Sequence, residues 1–465
     1  MSYIIPIRPA VQRDVRIIRK ADSALLVDAA TNQMVLCDWE EIAEFVAEPS
    51  PLVYPGNHRR VTGLEALEDL FPRIATNPAG RQPVSLLIVK ITSYCPLRCT
   101  YCYDYEEVDP VKVDAEALSR TIDEALQLAN QELTLLFHGG EPLVEFRLIQ
   151  QITEDAQEAA RRRGKRINFQ IQTSGAVLND SIVAFLQDKR FSVGLSLDGP
   201  APINDVIRIM PDGKGSTRLV ERQFERYREF FQRQASVLTT VSSVNVAGLN
   251  DVVRYFRDKG LRAIDFSLFS EMGRGACESR LAFTAPEYVE AMKRIIAEAE
   301  DGALDDIEVS TLTRLLDKLL LPDAHQHCRP SDGPCGAANG VMNVQANGEV
   351  TGCDLLRGKD YVLGRIGQDT LDQCIESERG EHTRSRYAGL KQCHQCTWRR
   401  ACGGTCGASS PGHHELDEME CQAMQLLFEH LAWRLHEDDR LMRYYLKHRQ
   451  PRDTQEAVSV DHAVA

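Results

Sequence analysis

The chain has 465 residues, 43% of them hydrophobic, and a net charge of −14 at neutral pH. That length allows a sizeable core divided over two or three units, and the negative charge opposes a phosphate backbone, arguing against nucleic acid as main partner. No run of eighteen apolar residues and no basic-then-apolar N-terminus argues for a membrane span or signal peptide, so the expected setting is the cytoplasm.

Residues 1–82 read as a small α+β module: ALLVDAATNQMVLCD (24–38) predicts a hairpin, and WEEIAEFVA (39–47) and GLEALEDLF (63–71) predict helices. From 83 to 310, short β-rich runs alternate with amphipathic stretches, the pattern of βα units. The strand candidates are 85–92, 133–139, 167–173, 191–198, 235–244 and 263–269. Helical spacing is clearest over 115–130, 146–163 and 217–234, with the basic run Arg161 to Arg166 as a solvated helix end. Six such units predict an α/β fold, a partial (β/α)6 TIM-type barrel whose chemistry lies in the loops after the strands. Residues 311–447 are rich in Cys and Gly until a predicted helix from about Glu420 to Lys447, and 448–465 resemble a disordered tail.

Fourteen cysteines in a cytosolic setting point to metal or cluster ligation rather than disulfides. The first group, Cys95-x3-Cys99-x2-Cys102, places three thiols in the loop after the first strand. Cubane clusters prefer four ligands, so three would leave one iron open; a zinc loop also satisfies cysteine spacing alone. The next strand ends in His138-Gly139-Gly140-Glu141-Pro142, where glycines permit close backbone approach and the carboxylate suits an ammonium group.

These two motifs resemble the radical S-adenosylmethionine (SAM) superfamily. The resemblance implies a 4Fe-4S cluster on Cys95, Cys99 and Cys102, with Gly139, Gly140 and Glu141 holding the methionine amine of S-adenosylmethionine and Tyr101 reaching its adenine. By similarity to anaerobic sulfatase-maturing enzymes, Ser196 in SLDG and Arg208 twelve residues later would contact the same cofactor, although Arg208 is also readable as a surface ion pair. Ile171-Gln172-Thr173-Ser174-Gly175 departs from the family's usual QTNG, which puts a ribose contact at Ser174 in doubt.

A second cysteine field comprises Cys328, Cys335, Cys353, Cys393, Cys396, Cys402, Cys406 and Cys421. Its order resembles a SPASM domain and implies two auxiliary 4Fe-4S clusters: one on Cys328, Cys335, Cys353 and Cys406, the other on Cys393, Cys396, Cys402 and Cys421. A pair of zinc sites is the rival reading. Full cysteine ligation suits electron transfer, whereas a first auxiliary cluster without Cys328 would offer a substrate site. Cys37, Cys277 and Cys374 have no partners in sequence and read as buried core thiols. Asp354 follows Cys353; the resemblance makes it a proton acceptor, and a turn-capping carboxylate is the structural alternative.

The family resemblance implies three clusters, reductive cleavage of S-adenosylmethionine to a 5′-deoxyadenosyl radical, hydrogen removal from a peptide, and a flavodoxin- or ferredoxin-type electron donor. The main expectation is maturation of a ribosomally made precursor peptide, for instance by a cross-link, with the N-terminal module binding a leader at a sheet edge or simply packing on the barrel. The alternatives are formylglycine generation on a sulfatase and a non-enzymatic iron-sulfur electron carrier or zinc protein.

Overall fold

Alternating apolar residues in the N-terminal segment build an antiparallel sheet of β1 (Val15–Lys20), β2 (Ser23–Asp28), β3 (Met34–Asp38) and β4 (His58–Arg60), in the order β3-β2-β1-β4. The computed structural model describes residues 15–29, 32–42, 58–60, 81–104, 110–321, 335–385, 393, 396–406, 408 and 417–449. The predicted hairpin is β2–β3, registered with Leu25 opposite Leu36. A short helix starts at Trp39 as expected; residues 43–47 and the predicted helix over 63–71 lie outside the described residues. Ile18, Leu25 and Val27 join the main hydrophobic core, and Asn32 Nδ2 donates to the carbonyls of Lys318 and Leu319 at 2.9 and 3.2 Å. The module is therefore packed onto the rest of the protein.

The six predicted barrel strands are β5 (Leu86–Lys90), β6 (Glu132–His138), β7 (Arg166–Thr173), β8 (Ser192–Ser196), β9 (Ala235–Val241) and β10 (Ala263–Leu268). They pair in parallel and in sequence order. All five residues of β5 are buried, as expected of a parallel strand covered on both faces. Helix starts are set by local chemistry: Asp114 accepts from the Ala117 amide at 2.7 Å, and Thr284 with Glu287 forms a capping box for Ala285–Glu300. The basic run closes the helix Phe146–Arg163, which stops at Gly164 in a left-handed conformation (φ 62°).

Two long predicted helices are broken. The stretch 217–234 divides at Tyr227 (φ −119°, ψ 37°) into Thr217–Arg226 and Arg228–Gln234, where the tyrosine hydroxyl donates to Asp180 Oδ1 at 2.7 Å. The C-terminal helix divides into Glu418–Glu437 and Arg440–Arg449 because Asp438 is extended and its carboxylate accepts from the Arg440 amide at 2.9 Å, starting a new helix.

The cysteine-rich region holds more regular structure than its composition suggests. Its short strands β12 (Val341–Val344), β13 (Glu349–Thr351) and β14 (Val362–Arg365), with β11 (Glu308–Val309) beside β10 at the other edge, complete one ten-stranded sheet, β11-β10-β9-β8-β7-β6-β5-β12-β13-β14. Strand β12 runs parallel to β5, with Val341 opposite Leu86. The C-terminal region thus extends the barrel sheet at its first strand.

Phe191 is fully buried, with its ring 5.3 Å from that of Phe169 and 5.9 Å from that of Phe137. Phe191→Ala should destabilise the protein by about 3–5 kcal/mol, measured as a lower denaturation midpoint with unchanged denaturant sensitivity.

Candidate functional site

After β5 the chain turns through the first cysteine group. Two backbone bonds pin this loop from one side, Arg98 N to Ile209 O at 2.7 Å and Thr100 N to Ile207 O at 2.8 Å; Arg274 N to Cys102 O at 3.0 Å holds it from the other. Cys95, Cys99 and Cys102 all line a cavity of about 280 Å³ at the C-terminal ends of the strands. Burial, then the nearby Glu141, pushes the Cys95 thiol up to about 12. Such a group ligates as thiolate when a bound metal centre supplies compensating positive charge.

The two glycines after β6 serve this loop directly. Gly140 has φ +52°, and a Cβ there would lie 2.2 Å from the Tyr94 carbonyl; at Gly139 (φ +79°) it would lie 2.5 Å from Lys90 Cβ. Only glycine lets the two loops touch here. Both glycines line the cavity. Glu141 does not: it is 1% exposed, and its carboxylate accepts from Thr173 Oγ1 at 2.7 Å, from the Ser174 amide at 2.8 Å and from the Ser174 hydroxyl. It ties the loops after β6 and β7 together. Ser174 lines the cavity.

On the next wall Arg208 Nη1 donates to Tyr101 Oη at 2.6 Å, and Tyr101 Oη donates to Asp198 Oδ2 at 2.7 Å. Arg208 is 8% exposed, so the surface ion-pair reading is corrected: the guanidinium is buried at the cavity. Burial raises the Asp198 carboxyl above its ordinary range, against the pull of Arg208. Ser196 Oγ accepts from Gln172 Nε2 at 3.0 Å, and both residues line the cavity. Asp198 and Gln172 were not singled out from sequence; an acidic residue beside the glycine after β8 was the available signal.

The wall nearest the C-terminal region carries a buried charged network. Asp354, fully buried, accepts from Tyr103 Oη at 2.6 Å through Oδ2 and lies 3.5 Å from Cys353 Sγ through Oδ1. Among the described residues its side-chain oxygens meet the Tyr103 hydroxyl and the Cys353 thiol and no turn amide, so the geometry is not that of a turn cap. His138 Nε2 is 3.5 Å from Tyr103 Oη, while His138 Nδ1 is buried with no hydrogen-bond partner among the described residues. Burial holds the His138 imidazole below its ordinary range. Lys90 pairs with Asp104 and donates to the Asp354 carbonyl at 3.0 Å; Arg357 also pairs with Asp104.

The C-terminal cysteines form two groups. Cys393, Cys396, Cys402 and Cys421 line a second, small hollow of about 20 Å³. Cys335, Cys353 and Cys406 gather around Ala337, Leu356, Tyr361 and Ala408. Cys328 lies outside the described residues. Cys402 and Cys406 also reach the main cavity. Among the described residues no three Cys, His, Asp or Glu side chains converge as ligands of one ion would. Of the three remaining cysteines Cys374 is buried, Cys37 is half-buried and Cys277 is exposed, so the expectation of three core thiols holds for Cys374 alone.

Burial alone would raise the Asp104 carboxyl, but Lys90 and Arg357 outweigh it and hold it below the ordinary range. Its stabilising contribution is full above the usual carboxylate range and is lost as the pH falls through the depressed value. Asp104→Asn leaves the buried Lys90 and the half-buried Arg357 facing a neutral amide and should cost about 3–5 kcal/mol. Adding Lys90→Met should recover part of that loss, measured by denaturant titration of single and double variants.

Residues 89–257 match the Radical SAM superfamily, and residues 335–397 match the SPASM iron-sulfur cluster-binding domain. Over 370 residues the chain is 26% identical to a cysteine-type anaerobic sulfatase-maturating enzyme of Clostridium perfringens (strain 13 / Type A), covering 76% of this chain and 97% of that one. A serine-type counterpart from Bacteroides thetaiotaomicron is 25% identical over 388 residues, covering 76% and 90%. Native anSMEcpe with bound AdoMet and Cp18Cys peptide has a TM-score of 0.65 at 25% identity, over 76% of this chain and 98% of that one. Streptococcus suis SuiB bound to precursor peptide SuiA shares the fold at a TM-score of 0.53 and 13% identity, over 88% and 100%. The zinc and non-enzymatic alternatives fall with these matches. No helix among the described residues is long and apolar enough to cross a membrane. The cavity thiols, the two C-terminal cysteine groups and both domain matches converge: this chain is an enzyme of the radical SAM superfamily with a SPASM domain, it uses 4Fe-4S clusters and S-adenosylmethionine, and it is homologous to the anaerobic sulfatase-maturating enzymes.

Proposed function

We propose that the chain is a peptide maturase that removes hydrogen from a ribosomally made precursor peptide and leaves it oxidised by two electrons, as in a cross-link. The observation that carries this is the shared cavity: Cys95, Cys99, Cys102, Cys402 and Cys406 all line it, so a peptide within it meets both cluster regions. When bound, the first cluster and S-adenosylmethionine together supply a 5′-deoxyadenosyl radical, the hydrogen-abstracting agent.

The chain's own residues divide the work. Cys95, Cys99 and Cys102 ligate the first cluster. Gly139, Gly140, Tyr101, Ser196 and Arg208 hold S-adenosylmethionine, with the Arg208 guanidinium suited to its carboxylate. Glu141 braces the loops that carry these contacts and supplies negative charge behind them. Cys335, Cys353 and Cys406, with Cys328, ligate one auxiliary cluster; Cys393, Cys396, Cys402 and Cys421 ligate the other. Asp354 receives the substrate proton by way of the Tyr103 hydroxyl, which is already hydrogen bonded to it. A flavodoxin- or ferredoxin-type protein is the proposed electron donor.

A precursor peptide is supported by the N-terminal module. The fold likeness to SuiB spans 88% of the chain, more than the barrel and cluster domains contain, whereas the sulfatase-maturating relatives match 76%. Formylglycine generation on a sulfatase is the second reading. The homology supports it at least as well, since the match covers 97% of the Clostridium perfringens enzyme.

Anaerobic turnover followed by mass spectrometry separates the two. Loss of about two hydrogens from a precursor encoded beside this gene supports the first reading; conversion of a sulfatase-derived Cys or Ser peptide to formylglycine replaces it with the second. Asp354→Asn should retain 5′-deoxyadenosine formation while product formation falls about 10²-fold or more, checked by quantifying both products in one reaction.

A further inference from the structure

The hollow lined by Cys393, Cys396, Cys402 and Cys421 is also lined by Trp398. Trp398 is 1% exposed. Its ring is packed against that of Phe428, centroids 6.0 Å apart. Its backbone amide already serves the Cys396 sulfur as a donor. Yet the indole Nε1 is buried with no hydrogen-bond partner among the described residues. A buried tryptophan N–H ordinarily finds an acceptor, because a donor withdrawn from water and left unpaired carries its whole desolvation penalty. The sulfur-bearing side chains Cys393, Cys396, Cys402 and Cys421 line the same hollow as Trp398.

We propose that the Trp398 indole N–H donates a hydrogen bond to a sulfur of the auxiliary cluster held by Cys393, Cys396, Cys402 and Cys421, and raises its reduction potential. This rests on the cluster assignment proposed above. A donor at the sulfurs favours the more negative, reduced state of a one-electron couple. Two neighbours act in the same direction. Gln425 Nε2 donates to Cys421 Sγ at 3.3 Å, and the Lys318 ammonium lies 2.8 Å from the Cys402 carbonyl. Trp398 is thus a positioning and tuning residue: it touches the cluster and not the peptide.

The test uses the full-length protein with the first cluster removed by Cys95→Ala, Cys99→Ala and Cys102→Ala, so that only auxiliary clusters titrate. Iron content comes first: about eight irons per chain, four for each 4Fe-4S cluster, upholds the assignment, and none overturns it together with this inference. Trp398→Phe keeps the ring and removes the N–H. Followed by electron paramagnetic resonance, one auxiliary couple should become harder to reduce by roughly three- to tenfold in its equilibrium constant, about 30–60 mV at 59 mV per tenfold, while the other stays in place. Indole-15N tryptophan incorporated into the protein with native Trp398 gives a second reading that does not depend on how the variant folds. A weak 15N coupling on the reduced cluster is expected, and it should vanish in Trp398→Phe if that variant folds. Unchanged potentials with the irons intact, or no 15N coupling, overturn the proposal.

Discussion

The buried ammonium of Lys90 is the interaction on which the arrangement depends. It stands at the end of β5, is 2% exposed, pairs with Asp104 from the cysteine loop and bonds the Asp354 carbonyl from the C-terminal region. Gly139 packs on its stem. One side chain thus sets the relative positions of the first cysteine group, the glycine loop and the candidate proton acceptor. A cation without a partner would be very costly in this interior, so the three segments assemble together around it. The sheet brings the segments near, and the charge fixes their spacing.

The cavity walls differ in electrostatic character. Arg208, Tyr101 and Asp198 form a linear chain with the cation at one end and the carboxylate at the other. About Tyr103 and Asp104, which also line the cavity, lies a compact knot in which two cations share Asp104, leaving Asp354 to bond a neutral hydroxyl. That division suits a charged cofactor on one side and proton transfer on the other. Glu141 shows how a motif residue can act at one remove: its oxygens are occupied by Thr173 and Ser174, and it shapes the cavity by holding the loops that face it.

Much of this was legible in the sequence because parallel strands buried on both faces read as continuous apolar runs; all six appear within a few residues of their expected limits. Helix breaks at Tyr227 and Asp438 were not legible, since the apolar pattern continues across them and a side-chain bond decides the matter. Strands β12 to β14 are three or four residues long; β12 is held by β5, some two hundred and fifty positions away, and β13 and β14 are added to it in turn, a dependence that local pattern cannot report. In the site, Cys393, Cys396, Cys402 and Cys421 line one hollow, and Cys335, Cys353 and Cys406 gather about a separate apolar cluster. The supporting residues Asp198, Gln172, Tyr103 and Arg357 escaped notice because their roles arise from burial and from neighbours on other strands.

The pairing of β12 with β5 has a consequence for how the protein is built. A chain released only as far as the last barrel strand would present β5 as an open edge, buried on its faces yet with unpaired amides and carbonyls along its flank. Such an edge invites a foreign strand. Closing it requires the C-terminal region to return across the whole barrel, a long-range step of the kind that slows folding. Synthesis of the polypeptide therefore runs well ahead of its protection, and that flank stays open until Val341–Val344 has been made and has returned to it.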